Sequence, residues 1–328
     1  SLLARRNFSF KPHTNEGGGA SSPPNVGGNV EKFRRKSRTL SDGEIKIYKM
    51  ADPLTRAAIS SNYDVFLGQR PPEHEVRAVR KLLTVLDRAS DHSSLTATPR
   101  ARLRPVHFVR MSSAVAMAIV HTTAKQMSVP VSTGTCPHYL LFDSDSRLNA
   151  CTLLKCSPPV RDATNRAALL AERSSYLASG HVEFGARLKL LHTGDLVRAV
   201  GGVNAAPSHA SAVWTAVLGA GGTVLDMVER ASAGPARLVG LGSRKGRIDV
   251  GYDADFCIFQ EGALHTSMLP RTSPYRGSNS ILVSPIKGMP QPIKLRGEVL
   301  ATFLRGRLVY AASTETRGGG GQTLLAVH

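Results

Sequence analysis

The chain has 328 residues, 41% of them hydrophobic but only 5% aromatic, and carries a formal net charge of +18. That length and apolar content support one or two cores packed on Leu, Val and Ala rather than on rings, while no apolar run approaches the ~18 residues of a membrane span, so no membrane partner is expected. The four cysteines, Cys136, Cys151, Cys156 and Cys257, form no C-x-x-C pair and no disulfide framework, which points to a reducing, cytoplasmic setting.

In chain order, residues 1–61 read as a basic, disordered leader. The first residue is Ser1 rather than Met, and the stretch from Ser1 to Phe10 holds Arg5 and Arg6 with no acid, loosely like a transit peptide. Gly17-Gly18-Gly19 and Ser22-Pro23-Pro24 favour the simpler reading of an arm without fixed structure. Two basic clusters, Lys32 to Arg38 and the Arg100, Arg102, Arg104 set, could dock on phosphates. No nucleic-acid module accompanies them, so a solvated arm and loop are the preferred reading and nucleic acid is only a distant alternative partner.

Residues 62–240 form the next unit. Pro71-Pro72-Glu73 followed by Val76, Val79, Leu82, Leu83 and Leu86 has the prolines, first-turn acid and spacing of an amphipathic helix. Residues 91–105 read as a polar, arginine-rich loop. Val106 to Met111 is a predicted strand, Ala114 to Gln126 a helix and Val129 to Ser132 a second strand, with a third near Leu153-Leu154-Lys155. Thr164 is the expected cap of a helix running through Leu177. Helices follow over 207–218 and 223–240, punctuated by Gly221-Gly222 and Gly234-Pro235. Strands alternating with helices imply an α/β unit with a parallel sheet. From 241 to 328 the pattern changes to a β-domain segment with a flexible tail. Phe256 to Phe259 and Val299 to Tyr310 read as strands, the latter folded around Arg305-Gly306.

Thr135-Cys136-Pro137-His138-Tyr139-Leu140, followed by Lys155-Cys156-Ser157-Pro158-Pro159-Val160-Arg161-Asp162, resembles the paired TCPHYL and KCSPPxRD motifs of the allantoinases. These are cyclic amidohydrolases of the dihydroorotase and hydantoinase superfamily. The resemblance extends through Arg70-Pro71-Pro72-Glu73, His107 to Ser113, Thr193 to Leu196, Ala199 to Gly202, Gly246 to Asp255, Ser273-Pro274-Tyr275 and Leu304-Arg305-Gly306. Residues 62–312 therefore look like the C-terminal part of such an enzyme, truncated at its front. The resemblance implies an α/β fold, a partial (β/α)8 TIM barrel beside a small C-terminal β-domain. It also implies hydrolysis of a small ureide, (S)-allantoin, to allantoate in purine catabolism. Two zinc ions would activate the attacking water, held at the carboxyl ends of the barrel strands.

The ligands that the resemblance demands are missing from the sequence. No H-x-H pair occurs, and no segment matches the strand of the carboxylated lysine. Arg110 occupies the position of the last His in the family's H-x-x-H-x-S-S strand, and a guanidinium has no lone pair to give a metal. The S-D-H-S block with the catalytic aspartate belongs between Glu183-Phe184 and Arg187-Leu188, and the sequence passes directly across. The expectation is therefore no metal ligands, no catalytic residue and an inactive chain. A non-catalytic scaffold or regulatory subunit is the alternative to an allantoinase. Substrate-binding candidates by resemblance are Ser157, Gly201 and Gly202, with a rigid proline turn and a plain glycine turn as the competing readings. His107 and His138 read as structural, and nothing orients Cys136 with His138, or Ser112 with a distant His, as a nucleophile. Gly134 replaces a glutamate usual in the family, and residues 278–294 look inserted, as at misjoined exons. Half a barrel leaves strand edges open, so a partner or a second copy of the chain, as in a homo-oligomer, is expected to cover them.

Overall fold

The computed structural model describes residues 52–95, 105–146, 148–182, 184, 186–265 and 294–312. Both basic clusters and all but the last residue of the 278–294 insertion lie outside these. Helix α1 (Pro53–Ser61) opens the described chain, followed by α2 (Tyr63–Gly68) and α3 (Pro72–Leu95). The Asp52 carboxylate accepts from Leu54 N and Thr55 N at 2.9 and 3.1 Å and so starts α1. This corrects the expected leader at its C-terminal end. Pro53–Ser61 is a docked helix, because Ser60 O and Ser61 O accept the amides of Leu196 and Ala150 at 2.7 Å each.

The α/β unit is built on a three-stranded parallel sheet. Strand β1 (Val106–Phe108) leads through helix α4 (Ala114–Ala124) to β2 (Val131–Thr135). The short α5 (Pro137–Leu141) and then α6 (Ala163–Ala171) precede β3 (Tyr176–Leu177), and a single helical turn, α7 (Ala186–Lys189), follows it. The order is β1-β2-β3, with Val106 opposite Val131 and Gly134 opposite Tyr176. A single parallel bridge between His181 and Val203 carries the arc one step further.

Three expectations shift here. The apolar Leu153-Leu154 stretch is a buried 3-10 turn, Thr152–Leu154, and not a strand. Short apolar runs do not separate the two by periodicity. Helix α6 is capped by Asp162, whose carboxylate accepts from Asn165 N at 2.7 Å, and not by Thr164. It stops at Ala171, where Glu172 turns the chain by accepting from Ser174 N at 2.7 Å, and frees Tyr176–Leu177 to pair with β2. Gly234-Pro235 does not break the later helix: α9 (Val224–Val228) passes through a π turn at Glu229–Ala233 into α10 (Gly234–Leu238).

The remaining layer is antiparallel. Strands β4 (Phe256–His265), β5 (Leu295–Leu304) and β6 (Arg307–Ala311) lie in that order, and Arg305 and Gly306 turn β5 into β6 with φ of 50° and 77°. The layer rests on α8 (His209–Gly219). Arg296 N donates to Thr215 Oγ1 at 2.8 Å, Trp214 Nε1 to Glu261 O at 3.1 Å, and Leu295 is fully buried between them. No helix among the described residues is long and apolar enough to cross a membrane.

Candidate functional site

Groups that act in a barrel stand where its strands end, and here that end is fixed by one carboxylate. Glu75, in the first turn of α3, accepts the amides of Ser112 and Ser113 through Oε1 at 2.9 Å each. Its Oε2 accepts the Ser112 hydroxyl at 2.9 Å and Arg161 Nη2 at 3.3 Å. Arg161 also donates through Nε to Ser112 Oγ at 3.0 Å and through Nη1 to Arg70 O at 3.2 Å. Asn165 closes the frame, with Nδ2 donating to Ser112 O and Oδ1 accepting from Ala114 N. The segments around Glu75, Ser112 and Arg161 thus meet at one point, which no pattern in the sequence announces. Ser112 is part of this clamp and not a nucleophile.

Held from behind in this way, the turn after β1 places Arg110 in the left-handed region, with φ of 58°. Arg110, Cys136 and His138 surround Gly180, just beyond β3. A Cβ on Gly180 would stand 2.6 Å from Cys136 Sγ, 3.3 Å from His138 Cε1 and 3.5 Å from Arg110 Nε. His138 is only 3% exposed. Neither of its ring nitrogens has a hydrogen-bond partner, and neither has Arg110 Nε. Burial, reinforced by the Arg110 charge, pushes His138 down to about 3, so the ring is neutral. Burial also pushes the Cys136 thiol up to about 12, against a partial pull down by Arg110. A protonated thiol beside a non-basic imidazole is no nucleophile pair.

His107, on β1, pairs through Nδ1 with Ser132 Oγ at 2.9 Å. A Cβ on Gly134 would fall 2.8 Å from its Nε2, so the imidazole occupies the space that a larger residue at 134 would need.

The three predicted substrate residues lie on adjoining segments. Ser157 is exposed, and Gly202 N donates to Lys155 O at 2.8 Å, which brings the Gly201-Gly202 loop against the start of the Ser157 segment. Gly202 has φ of 143°, and a Cβ there would stand 2.8 Å from Val182 Cβ, so close packing demands the glycine. Gly201 is exposed, with Lys155 O as its nearest neighbour. Two lysines behind this wall went unnoticed in the sequence. Lys155 and Lys189 are 4% and 2% exposed. The Lys155 ammonium donates to Val197 O and Ala199 O, and that of Lys189 to Thr152 O, Val200 O and Gly202 O. Burial first, then neighbouring cations for Lys155, lowers each to about 8. Cys156, buried and acted on by the Lys189 charge, is pushed up by burial to about 11.

The donors that the described residues bring together at the strand ends do not fit a pair of zinc ions. Among the described residues no group of three or more His, Cys, Asp or Glu converges to hold a metal. Beside Gly180 stand a neutral imidazole, a protonated thiol and a guanidinium whose charge repels cations.

A model of the amidohydrolase family matches residues 189–309. A probable allantoinase of Oryza sativa subsp. japonica is 30% identical over 270 residues, covering 80% of this chain and 50% of that protein. An allantoinase of Saccharomyces cerevisiae is 31% identical over 271 residues, covering 80% and 53%. The chain belongs to the amidohydrolase superfamily. This amidohydrolase shares its fold with the D-hydantoinase of a Bacillus sp. AR9 at a TM-score of 0.62 and 22% identity, over 90% of this chain and 57% of that one. The parallel sheet with a small antiparallel sheet beside it is the partial barrel and β-domain that the motifs implied. The chain spans about half the length of the curated relatives it matches.

Proposed function

We propose that this allantoinase-like amidohydrolase does not open a ureide ring and serves as a non-catalytic scaffold or regulatory subunit. The observation that carries the reading is Arg110. Ring opening in this superfamily rests on cations that polarise a carbonyl and generate hydroxide. At the end of β1, where the resemblance calls for an imidazole ligand, stands a guanidinium that shares its neighbourhood with a neutral, buried His138. It has no lone pair to offer and opposes a cation electrostatically. Ser157, Gly201 and Gly202 support a retained wall for a small ureide within the 62–240 unit, beside the 241–328 β segment, so binding can outlast turnover. The four unpaired thiols support a reducing, cytoplasmic setting.

The second reading is hydrolysis of (S)-allantoin to allantoate in purine catabolism, favoured by the likeness to allantoinases. Metal analysis of the purified full chain, with allantoin turnover measured alongside, separates the two. The proposal expects clearly less than one zinc per chain and turnover equal to buffer. Stoichiometric zinc together with turnover overturns it in favour of the second reading.

A further inference from the structure

We infer that Arg110 and His138 together form a binding site for a small carboxylate at the ends of the parallel strands. This goes beyond the question of ring hydrolysis and stands whichever way that is answered.

Two independent observations converge. The first is a guanidinium without an acceptor. Other buried guanidinium groups of this chain are used: Arg161 reaches Glu75, Ser112 and the Arg70 carbonyl, and Arg230 reaches Ser175 and the Glu172 carbonyl. Arg110 has no ion pair and no hydrogen bond among the described residues, and its Nε is buried and unbonded. The second is an imidazole without a partner. His138 is 97% removed from water by its 3% exposure, and both nitrogens are unbonded. Leaving such groups dry and unpaired is costly, and the cost is recovered by a ligand that brings acceptor oxygens. Both groups lie beside Gly180, 3.5 and 3.3 Å from where its Cβ would be.

The chemistry selects the class of ligand. A guanidinium presents parallel N–H groups that match the two oxygens of a planar carboxylate. A neutral imidazole donates a single N–H, which suits one further lone pair of the same group. A tetrahedral phosphate would bring more acceptors and more charge than these donors satisfy. Arg110 is half-exposed, so the site is reached from solvent at the mouth of the sheet. Its left-handed backbone is set by Met111 N donating to Gly134 O at 2.9 Å and by the clamp behind it, and not by a ligand. The backbone that carries the guanidinium is therefore already in place.

The test is a titration of the full chain, labelled with nitrogen-15 at histidine, by acetate at constant ionic strength. One imidazole signal, absent from His138→Gln, is expected to move saturably below about 50 mM acetate. Arg110→Gln is expected to weaken binding by about tenfold or more, and Arg110→Lys, which keeps the charge but loses the fork, by a smaller factor. Phosphate at the same ionic strength is expected to shift the signal little. Melting curves show which variants are folded; if Arg110→Gln is not, Arg110→Lys decides. Absence of a saturable shift in the unaltered chain overturns the inference. So does undiminished acetate binding in the folded Arg110 variants, or phosphate binding as tight as acetate.

Discussion

Replacing Arg161 with Met removes the cation from a carboxylate that several donors share. Glu75 receives two amides and a hydroxyl at 2.9 Å each, and Arg161 at 3.3 Å. The Arg161 and Glu75 side chains are 5% and 12% exposed, so water replaces the lost donor poorly. Removing one member of a buried ion pair costs about 3–5 kcal/mol. The three remaining donors still hold the Glu75 charge, which places this change near the lower figure, about 3 kcal/mol. In a chain of this size that is a fall in melting temperature of roughly 6–12 °C. Glu75→Gln keeps an acceptor for the two amides but can turn an NH2 towards Arg161, for about 2 kcal/mol. Because both variants break the same contact, the double variant is expected to cost about 1 kcal/mol less than the sum. Urea unfolding followed by circular dichroism measures all three. A loss below about 1 kcal/mol for Arg161→Met, or additivity of the two changes, would mean that this carboxylate does not secure the end of β1.

Stability should depend on alkaline pH in two opposing ways. Lys155 and Lys189 are lowered from the usual 10.5 to about 8, so above pH 8 the unfolded chain holds more protons and rising pH favours the fold. The thiols of Cys136, Cys151 and Cys156 are raised above 9.0 by burial, so past that pH the unfolded chain holds fewer protons and stability falls. Unfolding free energy should climb from pH 7.5 to about 9 and then decline; a steady decline from pH 7.5 would refute the assignment of the lysines. Gly180→Ala forces a Cβ to 2.6 Å from Cys136 Sγ at a φ of 56° and should cost roughly 2–4 kcal/mol. Cys136→Ala in the same chain should return part of that loss, and thermal melts showing no recovery would count against the crowding.

The amphipathic stripe of α3 was legible because Val76, Val79, Leu83 and their neighbours repeat at helical spacing behind two prolines. The β5–β6 hairpin was legible from Arg305-Gly306, whose backbone needs positive φ. Strand β3 was not, because Tyr176–Leu177 has no period of its own and is extended only through pairing with Gly134 and Thr135. The Leu153-Leu154 turn misled for the related reason that burial on all sides erases any pattern. At the site, Arg110 stood out as a substitution in a motif. Its meeting with His138 at Gly180 depends on three strand ends converging, which only the folded sheet supplies. Glu75 read as a charge at a helix start and Arg161 as a motif letter. Their shared contact is tertiary, so neither segment carries a sign of it.

The segment from Val197 to Gly202 is riveted to its surroundings by the heads of Lys155 and Lys189, which between them engage four of its carbonyls and that of Thr152. Lifting it away would strand those oxygens and two cations in a dry interior. It is therefore not a swinging cover. The face that Gly201 presents to solvent is set before any molecule arrives, like the fixed wards of a lock.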